Sequence, residues 1–524
     1  MTKTKKILIS LLIFIALFLI IVLTIVPSKT SNTNFSHKID KIMARSEFRY
    51  ASFGIEFYSL DQHQPIYTYN ADKFFKAAST TKLITCGSAM QLLGPDYRFH
   101  TRIYRTGEIG KDGTLDGDLI LVASGDPNLS GRIHNDTLMF ANEDHADGGL
   151  LSTSIGDPLF VIRNLAAQIS AHGIKRITGR VLVDASLFPQ GEGPERTLSP
   201  IIVNDNLVDV LINSGKKAGD PASLVVSPRT SYVRFINRIM TAKSDSTADI
   251  QWADDIENSD GSRSVTIQGS IPAGEHNRMF AYSVYDPVRY STTLLTEALR
   301  EQGIMISPTL KEEKPDFKLL SHFYIPKQVV AEHVSPPLTE EVKIILKVSQ
   351  GLHSAIMPFL FSKLVAQKEA PQSGFDLMHD WLAKAGLNLS EASQNDGAGE
   401  FAYFTPAFIV KYLEYMTTQK AYHALLNALP ILGKDGTLYD IQVNSSAAGH
   451  VFAKTGTIVE NDSLNRGKIV TAKGLAGYMT TKKGHHIVFA IYISNVLINS
   501  DPDSITKIVG QSIGEMAAFA YETL

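Results

Sequence analysis

The stretch AASTTKLIT, from Ala77 to Thr85, places Ser79 three residues before Lys82. Residues at i and i+3 share one face of a helix, so the Lys82 amine can lie beside the Ser79 hydroxyl. A buried amine among cationic neighbours can take up the hydroxyl proton, and the serine then becomes a nucleophile without a histidine. The first turn of a helix adds free N–H groups and partial positive charge around Ser79. The same spacing also fits a serine N-cap followed by an exposed lysine. Other motifs must therefore decide between a catalytic pair and an ordinary helix start.

A second motif, Lys454-Thr455-Gly456-Thr457, follows the alternating run 449–453, which predicts a strand. Lys454 supplies positive charge, and Thr455 supplies a hydroxyl. Gly456 lets backbone approach closely, and the Thr457 N–H can act as an oxyanion donor. These groups suit a substrate that ends in a carboxylate. The alternative interpretation is an ordinary strand end with an exposed lysine.

A third motif, KVSQG at 347–351, has Ser349 at its centre and precedes the run LHSAIMPFLFSKLVAQ. Apolar residues recur there every four positions, which predicts one buried helix face. A serine in this place can be an N-cap or can take part in catalysis. The glycine-rich segments NDGAG (395–399) and LPILGKDGTL (429–438) predict turns.

In this order the three motifs resemble the serial signature of the penicillin-recognising serine enzymes. More specifically, the chain resembles the D-alanyl-D-alanine carboxypeptidase/endopeptidase family, the class C low-molecular-mass penicillin-binding proteins, over about residues 36–520. Ser349 follows Lys82 by 267 positions, and a long insertion at this place marks the family. The remaining segments that carry the resemblance are SGDPNL (124–129), ITGRVLVDASLF (177–188), VNDNLVDV (203–210), NDGAG, LPILGKDGTL and KGLAGYM (473–479).

The resemblance implies a role for each matching residue. Ser79 would be the acylated nucleophile and Lys82 its proton acceptor, and Ser349 would relay a proton to the leaving D-alanine nitrogen. Lys454 and Thr455 would bind the terminal carboxylate of the substrate.

The resemblance also implies that the backbone N–H groups of Ser79 and Thr457 form the oxyanion hole. Gly456, between Thr455 and Thr457, belongs to the same substrate-binding motif. The substrates would be peptidoglycan stem peptides ending in D-Ala-D-Ala, and endopeptidase cleavage of cross-links is a further activity of such enzymes. β-Lactams would acylate the same serine and leave slowly. We expect no metal and no organic cofactor.

Two positions depart from the family pattern. Gly351 stands where the family has an asparagine, and Ala398 stands where it has a serine. Losing one positioned contact of this kind costs about two orders of magnitude in rate. Gln350 or Asn395 is a candidate to fill the place left by Gly351. These departures motivate a rival hypothesis, a non-catalytic peptidoglycan-binding scaffold, and motif order alone leaves a β-lactamase as a second alternative.

The N-terminus reads MTKTKK and continues with twenty uncharged, mostly apolar residues from Ile7 to Val26. A helix of that length spans roughly the 30 Å hydrocarbon core of a bilayer. Basic residues before it predict a cytoplasmic N-terminus and an extracytoplasmic (periplasmic) catalytic part, held by a single-pass anchor in the cytoplasmic membrane. A cleaved signal peptide is the alternative, although Ile25-Val26-Pro27-Ser28 offers a poor cleavage site. The stretch 29–38 is interpreted as a polar tether.

Composition narrows the function class. Fifty basic and 53 acidic residues are well mixed and give a net charge of −3, which does not support a nucleic-acid partner. The one cysteine, Cys86, precludes an intramolecular disulfide and is interpreted as a small core residue. His134, Glu143, Asp144, His145 and Asp147 lie close together but match no metal-ligand spacing, so we interpret them as a solvated acidic loop.

The expected fold is α/β: a penicillin-binding, β-lactamase-like catalytic domain in which helices flank an antiparallel sheet. Residues 1–35 form the basic end, anchor and tether, and the catalytic domain comprises 36–96 and 335–524. Residues 97–334 form β-rich inserted domains, expected to be two and nested, because strand-like runs alternate there with turn residues. The runs AKGLAGYMTT and HHIVFAIYISNV predict the arms of a hairpin around 482–484.

Overall fold

The computed structural model describes residues 33–145, 155–193, 196–307, 315–366, 372–498 and 505–524. In that part of the chain no helix is long and apolar enough to cross a membrane. The predicted anchor, Ile7 to Val26, lies outside the described residues and stays a prediction.

The helices and strands have the following bounds. The helices are α1 Thr33–Met43, α2 Lys82–Leu92, α3 Phe160–Ala171, α4 Pro287–Glu301, α5 Phe317–Leu320, α6 Leu338–Lys347, α7 Gly351–Leu364, α8 Gly374–Lys384, α9 Pro406–Met416, α10 Tyr422–Ala428 and α11 Gln511–Thr523. The strands are β1 Ser52–Ser59, β2 Gln64–Tyr69, β3 Phe75–Lys76, β4 His100–Arg105, β5 Thr114–Leu115, β6 Leu119–Val122, β7 Ile133–His134, β8 Thr137–Leu138, β9 Arg176–Ile177, β10 Val181–Asp184, β11 Gly191–Glu192, β12 Thr197–Leu198, β13 Leu207–Asn213, β14 Ser223–Ser227, β15 Val233–Ala242, β16 Asp249–Glu257, β17 Arg263–Pro272, β18 Arg278–Ser283, β19 Met305–Ile306, β20 Val329–Val334, β21 Ala392–Gln394, β22 Ala402–Phe404, β23 Val451–Asp462, β24 Gly467–Thr480, β25 His486–Ser494 and β26 Val496–Ile498.

The main sheet joins the two ends of the chain. Its order is β2-β1-β25-β24-β23, with β26 paired to β24, and every pair is antiparallel. Strand β25 is rich in β-branched and aromatic residues, and these suit a pleated surface. Successive side chains of β25 alternate between two cores: Phe489 packs with α1 and α11, and Val488 packs with α2, α6 and α9. The predicted antiparallel sheet flanked by helices is confirmed, as is the hairpin of β24 and β25.

The region between α2 and α6 contains smaller sheets and two long helices. The sheets have the orders β10-β6-β4-β20, β14-β13-β18, β15-β17-β16 and β19-β9-β5. Helices α3 and α4 pack together over a common apolar core with β4, β6 and β10. The β-rich character expected of 97–334 is present, and the domain boundaries stay a prediction.

One expectation near the N-terminus is wrong. The stretch interpreted as a polar tether is helical from Thr33, the start of α1. Phe35 is only 1% exposed and stacks on Phe519, while its ring edge meets Phe57. The amphipathic helix was missed because its buried face consists of only three apolar residues, Phe35, Ile39 and Ile42, among polar neighbours.

Candidate active site

Ser79 lies in a tight turn that opens helix α2. The turn, Ala78–Thr81, is a 3₁₀ helix, and Lys82 begins the α-helix proper. Ala78 has φ +47°, a left-handed conformation that costs an alanine free energy and must be held by its surroundings. Gly399, with φ +111°, packs so closely that an added Cβ would overlap the Ala78 carbonyl. The predicted glycine-rich turn at 395–399 therefore serves to clamp the nucleophile turn.

Strand β23 approaches the nucleophile turn from the other side. A Cβ on Gly456 would lie 2.7 Å from the Ala77 carbonyl oxygen and 3.1 Å from the Ser79 nitrogen. Only glycine allows this approach without a shift of backbone. The strand is thereby brought next to Ser79, and Thr457 lines the same cavity as Ser79.

A chain of hydrogen bonds joins the three motifs. Lys82 Nζ donates to Ser79 Oγ at 2.8 Å and lies 3.2 Å from Ser349 Oγ. Lys454 Nζ donates to Ser349 Oγ at 3.0 Å. Both lysines are fully buried, whereas Ser79 is partly accessible. The structure thus brings together Ser79, Lys82, Ser349 and Lys454, which are far apart in sequence, and the alternative of exposed lysines does not hold for either one.

Ser349 has an unusual backbone. Its φ is +61°, and this conformation turns its carbonyl oxygen toward Lys82, whose Nζ donates to it at 2.9 Å. Gln350 is the N-cap of α7: its side chain accepts from the Leu352 N–H. The Gln350 amide is fully buried and donates to the His145 carbonyl at 2.7 Å. It therefore does not fill the place left by Gly351.

Two threonines of β23, Thr455 and Thr457, follow Lys454 at the predicted carboxylate-binding end of the site. Thr455 Oγ1 lies 2.7 Å from Thr437 Oγ1, which belongs to the predicted turn LPILGKDGTL. Thr457 is exposed, and Lys473 Nζ, from the partner position on β24, donates to its hydroxyl at 2.8 Å. Burial lowers the pKa of Lys473 to about 8, and nearby Asp440 opposes that shift. Sequence reasoning missed Lys473 and Thr437 as site residues, because the register of β23 and β24 places Lys473 there and the folding of the turn at 429–438 against β23 places Thr437 there.

A cavity of about 420 Å³ opens at Ser79. Its lining is mostly small or apolar and includes the charged residues Arg196, Glu400 and Lys468. The described residues that line it are Ala78, Ser79, Arg196, Leu198, Gly351, Leu352, Ala355, Ala398, Gly399, Glu400, Thr457, Ile458, Val459 and Lys468. Gly351 and Ala398 contribute to this surface, and the candidate substitutes Gln350 and Asn395 are not part of it. The cavity is large enough to receive a short peptide segment next to the nucleophile.

The prediction of a solvated acidic loop is wrong for two of its members. Asp144 and His145 are fully buried, whereas His134 and Glu143 are exposed. The buried pair belongs to what we call the buried ion cluster, whose ionisable members are Arg132, Asp144, His145, Asp205, Asp209, Glu341 and His353, all less than 5% exposed. Asp144, His145 and Asp205 are close enough to surround a cation, and the Arg132 guanidinium already lies among them, paired with both carboxylates.

Comparison with known proteins identifies the family of this chain. The model of the D-Ala-D-Ala carboxypeptidase 3 (S13) family matches residues 35–512. This chain belongs to that family. The predicted resemblance is confirmed, and the S13 member described here is a D-Ala-D-Ala carboxypeptidase, a hydrolase.

Two curated relatives of this S13 protein are both named D-alanyl-D-alanine carboxypeptidase. The D-alanyl-D-alanine carboxypeptidase DacB of Haemophilus influenzae is 24% identical over 86% of this chain and 86% of its own length. The D-alanyl-D-alanine carboxypeptidase of Actinomadura sp. (strain R39) is 22% identical over 86% of this chain and 81% of its own length. The crystal structure of penicillin-binding protein 4 from H. influenzae, complexed with a β-lactam, has a TM-score of 0.67 at 21% identity. It covers 93% of this chain and 99% of that one, and shows that the fold is shared.

Proposed function

We propose that this S13 protein cleaves peptidoglycan stem peptides ending in D-Ala-D-Ala through an acyl-enzyme on Ser79. The observation that supports this most directly is the hydrogen-bonded chain from Ser79 through Lys82 and Ser349 to Lys454 at the cavity. It supplies a nucleophile, a base within hydrogen-bond reach and a second hydroxyl, which are the parts that acyl transfer requires.

Acylation would proceed by attack of Ser79 Oγ on the carbonyl carbon of the D-Ala–D-Ala peptide bond. The hydroxyl proton passes to Lys82 Nζ, 2.8 Å away. As the C–N bond breaks, Ser349 Oγ gives a proton to the leaving nitrogen and recovers one from Lys82. D-alanine therefore leaves with a neutral amino group. Lys454, held 3.0 Å from Ser349 Oγ, keeps that hydroxyl oriented.

Hydrolysis would complete the cycle. Water adds to the acyl carbonyl, loses its proton to Lys82, and the Ser79 oxygen is released as a hydroxyl. The N–H groups of Ser79 and Thr457 would stabilise the oxyanion in both steps. A β-lactam would acylate Ser79 in the same way, but its leaving group stays tethered. Cleavage of a cross-link uses the same steps with a larger leaving amine.

The substrate carboxylate would be bound by Lys454, Thr455 and Thr457, with Lys473 as an additional cation beside Thr457. Lys454 is fully buried and donates to Ser349 Oγ and to the Thr455 carbonyl, so it would attract the carboxylate through its electrostatic field rather than by direct contact. The threonine hydroxyls are therefore the groups that would touch the carboxylate.

The departures at Gly351 and Ala398 do not interrupt the catalytic contacts. Ser79, Lys82, Ser349 and Lys454 are joined without any help from the missing amide or hydroxyl. This observation favours the enzyme over the non-catalytic scaffold.

The experiment that tests the proposal uses the full chain, solubilised in detergent, and benzylpenicillin. Intact mass should show one adduct that maps to Ser79, and the protein should release D-alanine from a pentapeptide. Ser79→Ala should abolish both, while Ser88→Ala on the same helix keeps them. A folded wild-type protein that forms no adduct and releases no D-alanine, but still binds wall fragments, would support the scaffold instead. Digestion of a cross-linked muropeptide dimer in parallel would reveal endopeptidase activity.

We also propose that the N-terminal segment anchors the protein in the cytoplasmic membrane with the catalytic part outside. The support is the charge pattern before an apolar run of membrane-spanning length. The full chain should sediment with membranes, keep its N-terminal mass, and be digested by protease added to spheroplasts. Recovery of a shortened, released protein would instead identify a cleaved signal.

A further inference from the structure

The buried ion cluster has Asp205 at its centre. Its carboxylate accepts two bonds from Arg132, at 2.9 and 2.6 Å, and lies 2.8 Å from a ring nitrogen of His145 and of His353. Four charge-assisted contacts on one fully buried carboxylate are among the strongest polar contacts that a protein makes. Asp205 belongs to the inserted region, whereas His353 belongs to α7 of the catalytic part.

One route from Asp205 to the active site runs through His353. This histidine lies four residues after Ser349, one turn along α7. Its Nδ1 is 2.8 Å from Glu341 on α6, and its Nε2 is 2.8 Å from Asp205. Both ring nitrogens must carry hydrogen to satisfy two carboxylates, so the ring is held as an imidazolium, fixed on two sides. The first turn of α7 is thereby fixed to the inserted region.

A second route runs through His145 and Gln350. His145 Nδ1 is 2.8 Å from Asp205, and its Nε2 is 2.9 Å from Asp209. Its carbonyl oxygen accepts from the amide of Gln350, the residue next to Ser349. Both routes therefore end just after Ser349, at Gln350 and at His353 in the first turn of α7.

Such a backbone persists only where surrounding contacts hold it. Ser349 Oγ itself meets Lys82 and Lys454, but those contacts do not fix φ at +61°. We propose that Asp205 is a positioning residue that holds Ser349, through His353 and through His145 and Gln350, in the conformation needed for proton delivery to the leaving group. The inference rests on the proposed role of Ser349 as proton relay.

The test compares two substrates that differ in their need for that proton. A peptide needs a proton on its leaving nitrogen, whereas a thioester analogue of the same acyl group releases a stable thiolate without one. We expect Ser349→Ala to lower kcat for the peptide at least ten times more than kcat for the thioester. Asp205→Asn should show the same selective loss, with KM changed less than threefold. Loss of folded enzyme would lower both activities in the same ratio.

Asp184→Asn is the matched control. Asp184, at the end of β10 in the inserted region, is also buried, and its carboxylate accepts from the Ser186 N–H and the Tyr324 hydroxyl, which lie outside the buried ion cluster. It should lower the melting temperature while leaving the peptide-to-thioester ratio within twofold of wild type. If Asp205→Asn does not fold, Gln350→Glu makes the same comparison, since it removes the amide donor to the His145 carbonyl and keeps a side-chain oxygen for the Leu352 N–H.

The outcomes separate the two proposals. If Ser349→Ala shows the selective loss and Asp205→Asn, or Gln350→Glu in its place, does not, the positioning role is refuted and the relay stands. If Ser349→Ala lowers both activities equally, the relay role fails and the positioning role fails with it. An equal selective loss in Asp184→Asn would show that general destabilisation causes the effect, and would also overturn the inference.

Discussion

Gly456→Ala should disable acylation while leaving most of the fold intact. The added Cβ would lie 2.7 Å from the Ala77 carbonyl oxygen, 3.1 Å from the Ala78 Cβ and 3.1 Å from the Ser79 nitrogen. Ordinary carbon contacts need roughly 3.5 Å, so β23 must withdraw by about half an ångström or more. Oxyanion donors act at about 2.7–3.1 Å, and a withdrawal of that size carries the Thr457 N–H out of range.

The expected loss is that of one oxyanion donor, about 3 kcal/mol or 10²–10³-fold in rate. The assay is the second-order rate constant for acylation by a fluorescent penicillin, with the melting temperature measured on the same samples. Gly191→Ala is the control, because its Cβ would meet no atom within 4 Å. Acylation by Gly456→Ala within threefold of wild type would refute the view that the close approach of β23 assembles the oxyanion hole.

Three further predictions follow from the titratable groups and the cavity. Lys473→Met should raise KM for the peptide several-fold with little change in kcat, because it removes the positive charge beside Thr457. For the same reason the wild-type KM should rise as pH passes about 8, where Lys473 loses its proton. A pH-independent KM in wild type would contradict this. Burial alone would lower the pKa values of His145 and His353, but their carboxylate partners outweigh it and raise each to about 9 from the ordinary 6.5. Their contribution to stability, at most about 3 kcal/mol each, is complete below pH 6.5 and is lost as pH rises through about 9, so urea midpoints should fall over that interval, and a flat profile would contradict it. Gly351→Asn should reduce cavity volume next to Ser79 and change acylation by penicillins with bulky side chains more than by those with small ones; equal changes for both would show that Gly351 does not shape the cavity.

The chemistry-bearing motifs could be predicted from sequence because each depends on short-range geometry. The three-residue spacing of Ser79 and Lys82 is set by the helix, and the alternation before Lys454 is set by the strand. The order of the motifs, with the long interval before Ser349, was specific enough to indicate the family. Local pattern also identified Cys86 as a core residue, which the structure confirms.

Contacts between distant segments could be decided only by tertiary structure. Asp144 and His145 stand among polar residues and resemble a solvated loop, yet Arg132 and Asp205 bury them completely. A buried charge is tolerated only when it is paired. The partner of His145, Asp205, is 60 positions away, so local sequence does not reveal the pair. Lys473 likewise reaches Thr457 only because β23 and β24 pair in one register. The sequence by itself indicated the family and the candidate catalytic groups, and the tertiary structure decided what holds those groups in place, because charge pairing and strand register depend on neighbours in space.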